Sequence, residues 1–144
     1  MIVYAESSAV LAWLLGEPSQ ALVTRALREA ERVVSSALTG LECARGLARA
    51  RSTRRLTAAE ELAALRLLDV AESNWDVHEI TSTIVTRARA SFPLEPVRTL
   101  DAIHLATAAT FNEAVGAIQV LSFDDRVRTN ARQLGLGVTP SRLP

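Results

Sequence analysis

The chain contains no lysine: all sixteen basic residues among its 144 are arginine, a bias that codon usage suffices to explain. The absence excludes a Schiff-base nucleophile, a lysine general base and the lysine of a phosphate-binding loop. It also rules against a phosphate-accepting receiver domain, which needs a partner lysine. Arginine, by contrast, suits bidentate phosphate contacts. A single cysteine, Cys43, excludes an internal disulfide and a cysteine-rich zinc site. There is no glycine-rich fingerprint after the first apolar run, which argues against a dinucleotide-binding enzyme. No apolar run approaches bilayer length and no basic leader opens the chain, so a soluble cytoplasmic protein with no membrane partner is expected. The formal net charge is zero, which is not the balance of a globally basic nucleic-acid binder.

What is present suits one ordinary α/β domain over residues 1–144, with 49% hydrophobic residues to fill one core. "IVYA" (2–5) reads as a strand, "SSAVLAWLL" (7–15) as a helix and "EPSQALVTRALREAE" (17–31) as a second helix, with Pro18 in its first turn. "RVVSSA" (32–37) is β-rich. "LTGLECARGLARARS" (38–52) carries a helical stripe at Leu38, Leu41, Ala44 and Ala48, and Thr57 with Glu60 has capping-box spacing at the head of the next helix. "WDVHEI" (75–80) reads as a strand, "TSTIVTRARASF" (81–92) as a helix, and the two prolines of "PLEPVR" (93–98) make a loop. "TLDAIHLATAATF" (99–111) is a helix with Thr99 as its cap, "AIQVLS" a strand, "DDRVRTNARQLG" (124–135) a helix stopped by Gly135, and "GVT" a short last strand. Strands alternating with helices predict a mostly parallel sheet covered on both faces, with any site beyond the carboxyl ends of the strands.

Four carboxylates bear on that edge, each with an ordinary explanation. Glu6 follows the first strand and could be an exposed acid at a helix start. Glu42 could pair with Arg45 on its own helix for roughly 0.3–0.5 kcal/mol. Asp101 could offset a helix dipole, worth roughly 0.3–1 kcal/mol. Asp124 could cap the helix after "QVLS". Together they are two acids at strand ends and two on helices able to pack beside them. Converging carboxylates repel unless a cation or protons intervene. Hard oxygen ligands suit Mg²⁺ or Mn²⁺, ions that activate water and offset charge on a reacting phosphate.

"IVYAESSAVLAWLL", "SALTGLECARGL", "RTLDAIHLATAA" and "VLSFDDRVRTNARQLGL" together resemble a PIN-domain ribonuclease, in particular the VapC-type toxins of bacterial toxin–antitoxin pairs. The resemblance runs nearly end to end; "LDAIHLATA" is its most specific piece. It implies a PIN-like three-layer α/β/α sandwich and a Mg²⁺-dependent endoribonuclease that leaves 5′-phosphate and 3′-hydroxyl ends. It assigns the four metal-binding, catalytic acids to Glu6, Glu42, Asp101 and Asp124, with Ser8 as a supporting hydroxyl. It further implies an RNA substrate, a cognate antitoxin that covers the groove, and pairing into a homodimer. One departure stands out: the family usually has aspartate where this chain has Glu6. Glutamate carries the carboxylate about 1.5 Å farther out, which could alter metal preference. It could also leave a catalytically weakened RNA- or protein-binding module on the same fold.

Other residues divide between structure and function. Arg45, Arg49, Arg51, Arg54 and Arg55 form the densest basic stretch, either a solvated helix face or a phosphate-tracking edge; Arg98 is a second phosphate-contact candidate. His104, one turn after Asp101, is more readily a packed histidine than a ligand, and His78 a structural or surface one. Among Ser7, Ser8 and Thr39, Ser8 is the preferred support and Thr39 a helix cap. Asp125 is expected to face solvent. Trp13, Leu14 and Leu15 suit either core or interface, and the helices either side of residue 55 could protrude as a pair that receives the antitoxin.

Overall fold

The computed structural model describes residues 1–144. Five strands form one sheet: β1 (Ile2–Ala5), β2 (Arg32–Ser36), β3 (Asp76–His78), β4 (Ile118–Leu121) and β5 (Gly137–Thr139). Their order is β3-β2-β1-β4-β5 and every pairing is parallel, so the sheet is wholly rather than mostly parallel. Seven helices accompany it: α1 (Ser7–Leu14), α2 (Gln20–Glu29), α3 (Ala37–Ser52), α4 (Ala58–Asn74), α5 (Ser82–Ala88), α6 (Thr99–Val115) and α7 (Asp125–Gln133).

Period-two alternation along β1 distributes the layers. Tyr4 points to one face, where Val34, Ile118 and Val120 meet Leu105 and Phe111 of α6 and Val127 of α7. Val3 and Ala5 point to the other. There Val3 and Leu121 meet Ala9 and Val23, and Ala5 meets Val10, Cys43, Leu47 and Leu68. These two faces make the three-layer α/β/α sandwich. The register Tyr4↔Val34 and Tyr4↔Val120 keeps like-facing residues side by side, as burial of both faces requires.

Local chemistry explains most boundaries. Thr57 and Glu60 close a reciprocal capping box at the head of α4, both bonds 3.1 Å long. Gly135, at φ +79°, ends α7, with its N–H and that of Leu136 returned to Arg132 and Ala131. A Cβ on Gly46 would meet Leu11 Cδ2 at 2.6 Å, so the glycine lets α3 lie close against α1. No helix is long and apolar enough to cross a membrane.

Several expectations need correction. Pro18 lies in the turn before α2, which starts only at Gln20. Thr99 is the first helical residue of α6 and Arg98 occupies the cap position, without a side-chain capping bond. Thr39 caps nothing: Ser36 caps α3 by accepting from Leu38 N at 3.1 Å, and Thr39 Oγ1 donates to Ala5 O. The buried stripe of α3 is Leu38, Thr39, Cys43, Leu47 and Ala50, whereas Leu41 is 61% exposed. The strand at 75–80 shrinks to three residues because only Asp76–His78 find partners on β2.

One cation, Arg128, is buried on the α7 side without a carboxylate partner. Arg128, 1% exposed, donates to Ser122 O at 2.8 Å and to Pro140 O at 2.6 Å. Burial, and then the neighbouring Arg132, lower its pKa.

Candidate active site

The strand order reverses at β1, whose neighbours are β2 on one side and β4 on the other. Open parallel sheets place their crevice at such a switch, beyond the carboxyl ends. Glu6 is the first residue past β1 and occupies that crevice. Its N–H donates to Leu121 O of β4 at 3.1 Å, and its φ/ψ of −91°/150° make it the N-cap of α1. The side chain is only 2% exposed. Burial of a carboxylate is tolerable because its oxygens are supplied with donors. Oε1 accepts from Ser7 Oγ at 2.8 Å and from Ser8 N at 3.0 Å, and Oε2 accepts from Ser8 Oγ. Ser8 Oγ also takes the Phe123 N–H at 2.9 Å, which fastens the loop after β4 to the start of α1.

Glu42 stands on α3, one turn before Gly46. Its partner is not Arg45. Glu42 Oε1 lies 2.5 Å from His104 Nε2 and 3.0 Å from Ser7 Oγ. Ser7 therefore sits between two carboxylates, with one hydroxyl proton for both. Burial would raise the Glu42 pKa, but the His104 hydrogen bond and charge, with Ser7, outweigh it and bring the pKa down. Behind His104, Nδ1 meets the Tyr4 hydroxyl at 2.8 Å. Burial, followed by the Glu6 charge, holds that phenol well above its ordinary value. Burial first, then Glu6, Glu42 and Glu72, pushes the Cys43 thiol up to about 12.

Asp101 lies in the first turn of α6 and is half-buried. Burial raises its carboxyl, the Asp124 and Glu6 charges raise it further, and His104 and Arg98 pull the other way. Asp124 caps α7 through Oδ1, which accepts from Val127 N at 2.9 Å, while its own N–H donates to Ser122 Oγ at 3.1 Å. The structure thus brings Glu6, Asp101 and Asp124 into one electrostatic neighbourhood, and Ser7 ties Glu42 to Glu6. No three His, Cys, Asp or Glu side chains already form a cage for an ion. The donor chemistry nonetheless fits a hard divalent cation: four carboxyl groups from four elements, no thiolate, and repulsion at Asp101 that positive charge would relieve.

Ser7, Ser8, Glu42, Arg45, Arg49 and Leu100 help line an adjoining groove of about 380 Å³. Both arginines are exposed. Arg98 is exposed at the head of α6, close enough to Asp101 for its charge to act on that carboxyl. Arg51, Arg54 and Arg55 are exposed beyond the groove, and Arg55 reaches Glu17 at 3.7 Å. Asp125 is exposed. His78 packs edge-on against Phe111, with ring centroids 4.0 Å apart.

Four participants escaped the sequence reading or were underweighted in it: Ser7, Tyr4, His104 and Ser122. Two carried a signal. The only tyrosine of the chain sits in a buried strand, where its hydroxyl must find a partner. A histidine on the buried side of an otherwise Ala- and Leu-rich helix must do the same.

A model of the PIN domain matches residues 3–133. Ribonuclease VapC46 of Mycobacterium tuberculosis is 35% identical over 136 residues, covering 94% of this chain and 95% of its own. Among solved structures, Mycobacterium tuberculosis VapC20, described as a sarcin–ricin loop cleaving toxin, superposes with a TM-score of 0.61. It is 15% identical and the match covers 88% of this chain and 93% of that one. FitAB bound to the IR36 DNA fragment gives a TM-score of 0.63 at 15% identity, covering 96% and 93%. At that identity the two structures show a common fold.

Proposed function

The chain belongs to the PIN-domain family, among the VapC ribonucleases, and from that premise we propose that it is a metal-dependent endoribonuclease toxin held in check by a cognate antitoxin. Residues 1–144 form its single PIN-like domain. The observation that carries the proposal is that Asp101 feels the charges of both Asp124 and Glu6 at the β1/β4 switch, which, after burial, raise its carboxyl. Glu6, Glu42, Asp101 and Asp124 would hold Mg²⁺ or Mn²⁺. Such an ion, when bound, supplies positive charge at the scissile phosphate and makes water more acidic.

The chain's own residues do the rest. Asp101 and Asp124 present carboxyls that are not tied down on every oxygen, and so remain open to the cation. Ser7 and Ser8 fix Glu6 by donating to it, and Ser7 with His104 fixes Glu42. Arg45 and Arg49 offer guanidinium groups to the RNA backbone beside the acids, with Arg98 at the head of α6 as a third. VapC kinship supports RNA phosphodiester hydrolysis, with 5′-phosphate products, an antitoxin over the groove and a homodimer as further parts of the proposal.

The test is Asp101→Asn assayed on RNA with and without EDTA. Loss of divalent-dependent cleavage and of growth inhibition, with folding intact, supports the proposal; unchanged cleavage removes Asp101 from it. A second reading is a PIN-fold binding module with weakened chemistry, favoured by one fact: both oxygens of Glu6 are already occupied by protein donors. RNA binding without cleavage under any divalent ion, with activity gained in Glu6→Asp, would favour that reading.

A further inference from the structure

Glu42 is fixed from behind by a buried chain that starts in the first strand. Tyr4 of β1 and His104 of α6 are 0% and 1% exposed. Their side chains meet through the Tyr4 hydroxyl and His104 Nδ1 at 2.8 Å, and Nε2 reaches Glu42 Oε1 at 2.5 Å. Ring centroids of Tyr4 and His104 stand 6.0 Å apart, edge to face at 71°, so the imidazole cannot swing away without clashing with or abandoning the phenol. Ser7 Oγ, 3.3 Å from Nε2, is the third polar group against the ring, and it faces the same side of the imidazole as Glu42.

We propose that His104 is a positioning residue for the Glu42 carboxylate, held as the Nε2–H tautomer by a proton donated from the Tyr4 hydroxyl. The logic is one of direction. Glu42 can only accept, so Nε2 must carry the hydrogen. Nδ1 is then the acceptor in a neutral ring, and the phenol O–H, 2.8 Å away, is the donor that faces it. A ring nitrogen hydrogen-bonded on its far side is a general means of orienting a group beside a cation. Here the imidazole is one step farther out: it orients the carboxylate, and the carboxylate would face the ion. The same oxygen takes Ser7, so Oε1 is committed to the protein and Oε2 is left for the site. One buried tyrosine on β1 thereby reaches a carboxylate on α3 through a ring on α6. The functional consequence rests on the reading of Glu42 as an ion-binding acid.

Two measurements on the full chain test it. The first is ¹⁵N–¹H correlation NMR of the imidazole nitrogens, without metal. The wild type should show the Nε2–H tautomer for His104, and Tyr4→Phe, which keeps the ring and removes only the hydroxyl, should shift it toward a mixture. An Nδ1–H tautomer, an imidazolium protonated on both nitrogens, or a tautomer unmoved in Tyr4→Phe would overturn the proposal. The second is Mn²⁺ affinity by isothermal calorimetry. His104→Leu should weaken binding roughly 10–100-fold, and His104→Gln, whose amide can still donate toward Glu42, should recover most of it. Equal affinity in His104→Leu and wild type would overturn the positioning role. Full Mn²⁺ affinity in Glu42→Gln would instead sink the assignment of Glu42 as a ligand, while the tautomer measurement would still decide whether the chain orders its carboxylate.

Discussion

The two halves of the acidic site are built on opposite principles. Glu6 and Glu42 are enclosed by donors: two serine hydroxyls, a backbone N–H and an imidazole. Asp101 has no such enclosure and carries the repulsion of Asp124 and Glu6; Asp124 commits one oxygen to its helix. The first half is stable without a ligand. The second is stressed without one. A carboxylate held by protein donors defines a position, whereas an under-neutralised carboxylate stores a reason to bind something positive.

Replacing Asp101 tests this division most severely. Asp101→Asn should reduce divalent-dependent RNA cleavage by at least about 100-fold, on the scale of losses caused even by groups one step removed from a metal, while raising the melting temperature at neutral pH. Lower cleavage with lower thermal stability would break the comparison, because it would mean that Asp101 is a structural acid. Ser8→Ala makes the opposite cut. It strips a donor from Glu6 and leaves the Phe123 N–H without its acceptor, so unfolding free energy by urea titration should fall by about 1–3 kcal/mol.

Titration sharpens the contrast because the halves run in opposite senses. The Glu42 pKa is lowered in the folded protein, so the stability it contributes is present above the ordinary carboxylate range and is lost as pH falls through the lowered value. The Asp101 pKa is raised, so the native state is favoured below the ordinary value and loses that advantage as pH climbs through the raised one. In melting curves taken across the acid range, Glu42→Gln should flatten the fall toward low pH. Asp101→Asn should remove the loss that accompanies rising pH. Matching profiles for the two variants would contradict the division. The smallest effect belongs to the groove. Arg45→Gln with Arg49→Gln should leave stability within about 0.5 kcal/mol and weaken RNA binding. The salt slope of that binding should drop by about 0.7 for each single-strand phosphate that an arginine no longer neutralises.

Much of this was legible along the chain, and the gaps have physical causes. The apolar segments "IVYA" and "AIQVLS", the Thr57–Glu60 spacing and Gly135 are local signals, and each produced the element it implied. The face of α3 was misread because Leu41 looks like core, yet small and polar Thr39 and Cys43 face inward where α3 lies against α1 and β1. The acids could be picked out singly, and kinship ordered them. Their partners could not be found by spacing, since Tyr4 and His104 are one hundred positions apart and meet only because α6 crosses the sheet over β1. Arg45 looked like the partner of Glu42 because it is near in sequence; a buried imidazole from another helix competes better than an exposed guanidinium on the same one.

The buried guanidinium of Arg128 has a consequence for the far end of the chain. Its acceptors are the carbonyls of Ser122, two residues before Asp124, and of Pro140 and Ser141. A cleavage after Thr139 would leave this buried cation with the Ser122 carbonyl alone, on the loop that leads to Asp124. Residues 140 and 141 therefore act as a latch on the loop that carries Asp124, and trimming them is expected to loosen the acid edge from a distance.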